Sequence, residues 1–292
     1  MRYEGNMYRP PSEARSYILQ ATVGCTHNRC TFCGMYKDKK FKIKSMEEIK
    51  DDIRMAGEYY GDIEKVFIAD GDAIIIDTPD LIEIIELLYK NFPSLRHVGI
   101  YASPDAVLKK ETSELSALKK AGLTIAYLGI ETGDEELLKE IKKGVTYDEM
   151  AEAGKRLRKA GIELSVTILL GLAGRTPKAI DHAKATAKIC NEINPDYIGA
   201  LTIMLVPGTK MYQQMEKGEF ELPGAFEILD EMRIIIENLD LKGTEFRSNH
   251  ASNYLPIKGR FPEDKNEILR LIDDIIDKND KNYLRPDYLR AL

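Results

Sequence analysis

The sequence has no apolar run long enough to cross a bilayer. Stretches such as Ile198 to Val206 fall far short of the roughly 20 residues a spanning helix needs, and the N-terminal "MRYEGNMYRPPSEARSY" has no apolar signal core. The expectation is a cytoplasmic protein with no membrane partner. Cysteine is scarce too: four in 292 residues, three of them between Cys25 and Cys33. That is no disulfide framework, and the spacing favours a metal or redox site. There is no excess of basic residues either. A net charge of −6 argues against a nucleic-acid binder.

What is present is a repeat. Six apolar runs read as buried strands: Tyr17 to Val23, Lys65 to Ala69, His97 to Ala102, Thr124 to Ile130, Leu164 to Leu170 and Ile198 to Val206. Amphipathic segments separate them. Ser45 with Glu48 and Thr146 with Glu149 fit the capping box, and Thr78-Pro79 and Thr176-Pro177 place a cap before a proline. Leu81, Ile84, Ile85 and Leu88 give one helix an apolar face for a sheet. This βα alternation predicts an α/β fold with parallel strands and right-handed crossovers, open or closed into a barrel. In both forms ligands bind beyond the carboxyl ends of the strands, and "GCTHNRCTFCGMY" follows the first strand directly.

Three thiolates on one short loop can converge on one metal centre. Structural zinc takes four ligands, and no second cysteine pair exists, although His27 could complete a cramped site. An iron-sulfur cluster also takes four cysteines as a rule. With three, one iron is left open, and an open coordination position is where chemistry happens.

The run Cys25-x4-Cys30-x2-Cys33, with Phe32 before the last cysteine and set after the first strand of a sixfold βα pattern, resembles the radical S-adenosylmethionine (SAM) superfamily. The usual spacing has one residue fewer between the first two cysteines. The resemblance implies a partial (βα)6 TIM-like barrel over residues 1–220 and a short, mainly helical C-terminal extension over 221–292. It implies a 4Fe-4S cluster on Cys25, Cys30 and Cys33, with SAM chelating the fourth iron and cleaved reductively to a 5'-deoxyadenosyl radical that abstracts hydrogen from a substrate. "ADGDA" stands where the family has Gly-Gly-Glu, with Gly71 and Asp72 matching and Asp70 in place of the first glycine. "LGIETG" and "SVTILLGLAGRTP" look like segments of oxygen-independent coproporphyrinogen oxidase, the methylthiotransferases and the Elongator catalytic subunit. By that likeness Glu131 faces SAM, Lys143 neutralises its carboxylate, Ser165 or Thr167 meets the ribose, and the backbone at Leu170 lies against adenine. No particular family within the superfamily is assigned.

Outside the resemblance, no cobalamin-binding segment precedes the core and no second cysteine cluster follows it. The expected substrate is a small molecule, with nucleic acid disfavoured. The alternatives are an RNA-modifying enzyme of the same superfamily and a non-catalytic zinc or iron-sulfur module. Two polar segments are candidates for substrate contact: Tyr8, Arg9, Ser12 and Glu13 before the first strand, and Arg247, Ser248, Asn249, His250, Asn253 and Tyr254 near the C-terminus. Arg9 and Arg247 suit a carboxylate or phosphate, and His250 or Tyr254 could move a proton. Lys37, Lys39, Lys40, Lys42 and Lys44 form a basic run, read as a solvated face or as a docking patch for an acidic electron donor such as flavodoxin or ferredoxin. Ser103 follows the third strand, where it could meet the methionine group. Cys190 is expected in a helix core, and His97 and His182 have no partner at metal-ligand spacing.

Overall fold

The structure, a computed structural model, describes residues 1–291. The elements in chain order begin with β1 (Tyr17–Gln20), β2 (Thr22–Val23), β3 (Lys42–Ile43), α1 (Met46–Tyr60), β4 (Lys65–Ala69) and α2 (Thr78–Asn91). Next come β5 (His97–Ala102), α3 (Pro104–Leu108), α4 (Thr112–Ala121), β6 (Ile125–Glu131), α5 (Glu135–Glu140), α6 (Tyr147–Lys159) and β7 (Glu163–Leu170). The last are α7 (Lys178–Ile193), β8 (Tyr197–Thr202), α8 (Lys210–Glu216), α9 (Ala225–Asn238), β9 (Thr244–Arg247), β10 (Lys258–Phe261) and α10 (Lys265–Lys278). The fold is α/β with a mostly parallel sheet, as the repeat predicts, and of the partial TIM-barrel class that the resemblance implies.

The chain forms two compact units: residues 1–28, 35–128 and 152–164 in one, and 29–34, 129–151 and 165–292 in the other. In the first, β1, β4, β5 and the start of β6 pair in parallel. Val66, Ile68, Val98 and Ile100 are fully buried, as are Leu81, Ile84, Ile85 and Leu88 of α2. Each contributes about 1.5–3 kcal/mol of hydrophobic stabilisation. The first strand is interrupted. After Ala21 the pairing changes, and Thr22 and Val23 pair antiparallel with Ile43 and Lys42, so the residues before the cysteines belong to a two-stranded ribbon whose long connection, 24–41, carries the motif. The capping box at Ser45 and Glu48 forms as expected. Asp77 rather than Thr78 takes the cap position of α2, because the helix begins one residue earlier.

In the second unit β7, β8 and β9 are parallel and β10 returns antiparallel. The C-terminal stretch is thus helical in α9 and α10 but not throughout: Thr244–Arg247, leading into the polar segment near the C-terminus, extends the sheet. Its alternation of Thr244 and Phe246, buried, with Glu245 and Arg247, half-exposed, is a strand pattern too short to stand out in a sequence. The apolar cluster of Leu137, Ile141, Leu169, Leu172, Ile203 and Met211 forms a core here.

Candidate functional site

In the first unit the approach to the motif is built around Asp70, which is fully buried. Its Oδ2 accepts hydrogen bonds from Lys39 Nζ (2.9 Å), Gln20 Nε2 (3.0 Å) and the Gly24 N–H (3.1 Å). Its own N–H donates to Thr22 Oγ1 at 2.9 Å. The Asp70 carboxylate anchors the residue before Cys25. Gly71 N–H donates to Gly24 O at 3.1 Å. A Cβ on Gly71 would lie 2.5 Å from the Tyr36 ring and 3.1 Å from Cys25 Cβ, so only glycine lets the end of β4 press against the motif. Asp72 is buried, accepting from Thr26 Oγ1 and from the Ser103 N–H. Burial pushes its carboxyl up, and the bonds from Thr26 and Ser103 only partly oppose this. Ser103 caps α3 with its hydroxyl, accepting from the Ala106 N–H.

Residues 29–34, with Cys30 and Cys33, belong to the second unit. Thr31 N–H donates to Ile141 O and Met211 N–H to Thr31 O, while Phe32 packs on the apolar cluster around Ile141. A Cβ on Gly34 would meet Val206 at 2.6 Å. Cys25, Cys30 and Cys33 are each partly exposed, whereas Cys190 is buried and its thiol pushed up to about 12 by burial. Cys190 is a core residue, as expected. Among the described residues no group of three or more His, Cys, Asp or Glu side chains is gathered as a metal-ion site.

The end of β6 carries Glu131 with φ +65°, a left-handed backbone uncommon away from glycine. Its Oε1 accepts from Lys143 Nζ at 2.8 Å, both side chains about one-tenth exposed. The pair crosses the backbone of Gly129, where a Cβ would lie 2.3 Å from Glu131 Oε1. Asp134, not Glu131, caps the following helix. The next residue, Thr132, hydrogen-bonds His182 Nδ1 at 2.7 Å. His182 Nε2 lies 3.2 Å from Leu169 O and 3.3 Å from Glu231, which accepts the Gly171 N–H at 2.8 Å. This buried chain from α7 and α9 holds the ends of β6 and β7. Sequence reasoning gave His182 no partner and passed over Glu231. The available signal was a histidine among Ala183, Ala187 and Cys190 on an apolar helix face, where burial demands a partner.

Ser165 and Thr167 are half-exposed on β7, and Leu170 is buried, its carbonyl accepting the Ile203 N–H. Arg247 Nη2 donates to Glu245 at 2.6 Å. His250 Nδ1 accepts the Ser252 N–H, and its pKa is lowered by burial and by Arg285. Tyr254 is buried, donates to Asp287 at 2.7 Å and lies under Arg290, so it fastens the C-terminal tail. Burial and the Asp287 bond push its hydroxyl up to about 12. Arg9 donates to Ser16 O. Glu13, a candidate for substrate contact, is instead buried beside His97, Ser16 and Tyr127. The basic run is also not one face. Lys39 is buried against Asp70 and Lys44 against Asp52, because the β2–β3 ribbon turns them inward, which leaves Lys37, Lys40 and Lys42 exposed.

Among the described residues no helix is long and apolar enough to cross a membrane. The profile of the Radical SAM superfamily matches residues 19–187. The heme chaperone HemW of Bacillus subtilis is 23% identical over 186 residues, 62% of this chain and 48% of that protein. A tRNA uridine(34) acetyltransferase of Methanocaldococcus infernus is 27% identical over 128 residues, 42% of this chain and 22% of that protein. The chain thus spans about half or less of these relatives. The structure of coproporphyrinogen III oxidase (HemN) from Escherichia coli, a radical SAM enzyme, superposes with a TM-score of 0.55 at 17% identity, covering 77% of this chain and 53% of that one, a likeness of fold.

Proposed function

The chain belongs to the radical SAM superfamily of enzymes, and from that premise we propose that it cleaves SAM reductively at a 4Fe-4S cluster held by Cys25, Cys30 and Cys33, to act on a small molecule. The observation that carries this reading is the three-cysteine loop with the side-chain-free Gly71 backbone pressed against Cys25. Three thiols with no fourth cysteine in the loop suit a cluster that keeps one iron for another ligand. When bound, the cluster and SAM supply a 5'-deoxyadenosyl radical for hydrogen abstraction.

The protein's own residues bind and orient. Gly71 and Asp72 would meet the methionine amino group, Glu131 would face SAM, Lys143 would neutralise the methionine carboxylate, Ser165 or Thr167 would meet the ribose, and the backbone at Leu170 the adenine. The Thr132–His182–Glu231 chain supports this assignment, since it fixes the segments carrying Glu131 and Leu170. An external one-electron donor such as flavodoxin or ferredoxin would dock near the exposed Lys37, Lys40 and Lys42.

The test is anaerobic reconstitution, reduction with dithionite and chromatography for 5'-deoxyadenosine. Its formation, lost in Cys25→Ser, Cys30→Ser and Cys33→Ser, supports the reading; a centre with four protein ligands and no cleavage of SAM refutes it. The tRNA-modifying relative makes RNA the competing substrate. The net charge of −6 favours the small molecule, and retention of tRNA at physiological salt would reverse that choice.

A further inference from the structure

Strands β7, β8 and β9 set six residues in two rows on one face of the sheet. Ser165 is in register with Tyr197 and Tyr197 with Glu245; Thr167 is in register with Gly199 and Gly199 with Arg247. The alternate residues Val166, Ile168, Ile198, Ala200 and Phe246 are all buried, so the other face is the packed one. A parallel sheet covered on both sides carries apolar residues on both. Here one face is half-exposed and holds an ion pair.

That pair is poorly explained as a stabilising contact. Arg247 and Glu245 are 43% and 33% exposed, where an ion pair contributes little. Arg247 Nε is buried without an acceptor, which costs more than such a pair returns. Glu245 is the acceptor Arg247 has among the described residues. Opposite Arg247, Gly199 leaves the floor open: a Cβ there would meet only Val166 O at 3.8 Å and Leu201 Cδ1 at 3.9 Å.

The opposed charges stand 2.6 Å apart. In an α-amino acid, bond lengths and the angle at Cα hold the ammonium nitrogen and the nearer carboxylate oxygen about 2.7 Å apart. Laid antiparallel on the pair, such a group places its ammonium on Glu245 and its carboxylate on Arg247, with no net change of charge. A simple carboxylate would satisfy Arg247 but meet Glu245 as a like charge.

We propose that Glu245 and Arg247 bind the α-ammonium and α-carboxylate of a small-molecule substrate that carries a free α-amino-acid group, seated over Gly199. Thr167 lies two strand spacings from Arg247, roughly 10 Å. The link from this seat to the chemistry rests on the proposed function, in which Thr167 is a candidate for the SAM ribose.

The test is isothermal titration of the anaerobically reconstituted protein, with SAM, against the twenty common L-α-amino acids. At least one is expected to bind, and its des-amino and decarboxylated analogues to bind about tenfold more weakly or worse. Glu245→Gln and Arg247→Gln, checked for folding by circular dichroism, should each lose the binding. Gly199→Val, which keeps both charges and fills the floor, should lose it independently. No binding by any amino acid, equal binding of an analogue lacking one charge, or unchanged affinity in folded Arg247→Gln overturns the proposal. SAM cleavage without amino-acid binding would overturn this inference alone, whereas binding without cleavage would overturn the proposed function and leave the seat standing.

Discussion

Replacing Lys39 by methionine removes a charge from beneath the motif loop while keeping most of the side chain's volume. Lys39 Nζ lies 2.9 Å from Asp70 Oδ2, with the two side chains 4% and 0% exposed. At that distance the attraction is about 6 kcal/mol for an effective dielectric of 20. Desolvation cancels much of it, so the pair as a whole contributes little net stability. Removing one member is different, because a buried carboxylate is left without a counter-ion, at about 3–5 kcal/mol. Gln20 and Gly24 still donate to the same oxygen, which favours the lower half of that range. At about 2 °C per kcal/mol for a chain of this size, the apo-protein midpoint should fall by roughly 6–8 °C. Lys40→Met, at an exposed position of the same run, should stay within about 0.5 kcal/mol. Adding Asp70→Asn to Lys39→Met should recover most of the loss. Because Asp70 also holds the Gly24 N–H, the single variant should take up less iron on reconstitution. Urea unfolding of the four proteins is the assay. A loss under 1 kcal/mol in Lys39→Met, or a double variant no better than the single one, would refute the reasoning.

Three further outcomes follow from other parts of the structure. Gly71→Ala puts a methyl group against Tyr36 and Cys25, so its iron content after reconstitution should drop well below wild type while the far-ultraviolet circular dichroism stays unchanged. Burial pushes the Glu13 carboxyl up, but the hydrogen bonds from His97, Ser16 and Tyr127 more than reverse it, so it lies below the usual carboxylate range. The stability this confers is present above the unfolded value of about 4.3 and is lost as pH falls through the lower folded value. Glu13→Gln should therefore be less stable than wild type at pH 7, with the gap closing under acid denaturation. Charge reversal at Lys37 and Lys40 should slow reduction by flavodoxin and spare reduction by dithionite; equal rates with both donors would remove the docking face.

The strands and helices were largely legible because burial leaves a period. Lys65–Ala69 and His97–Ala102 match the structure residue for residue, being short apolar runs bounded by polar turns. The cysteine motif was legible because its three cysteines lie within nine residues of the chain. What was not legible depends on partners far apart. Lys39 and Lys44 look like Lys37 and Lys40 in sequence, and only a folded ribbon with Asp70 and Asp52 beneath it separates buried cations from solvated ones. Glu13 before the first strand has the composition of a loop, yet it meets His97 and Tyr127 inside the fold.

The chain alone therefore determined its superfamily, its βα alternation and its three-cysteine loop, all of which are written in local spacing and in the period of apolar residues. Tertiary structure alone decided which charges pair. It turned Asp70 from a departure in a motif into the anchor of the loop, tied Thr132 to His182 and Glu231, and set Glu245 and Arg247 beside the bare floor at Gly199. An electrostatic contact depends on distance and burial, and neither is a property of residues until strands far apart in sequence are brought into register.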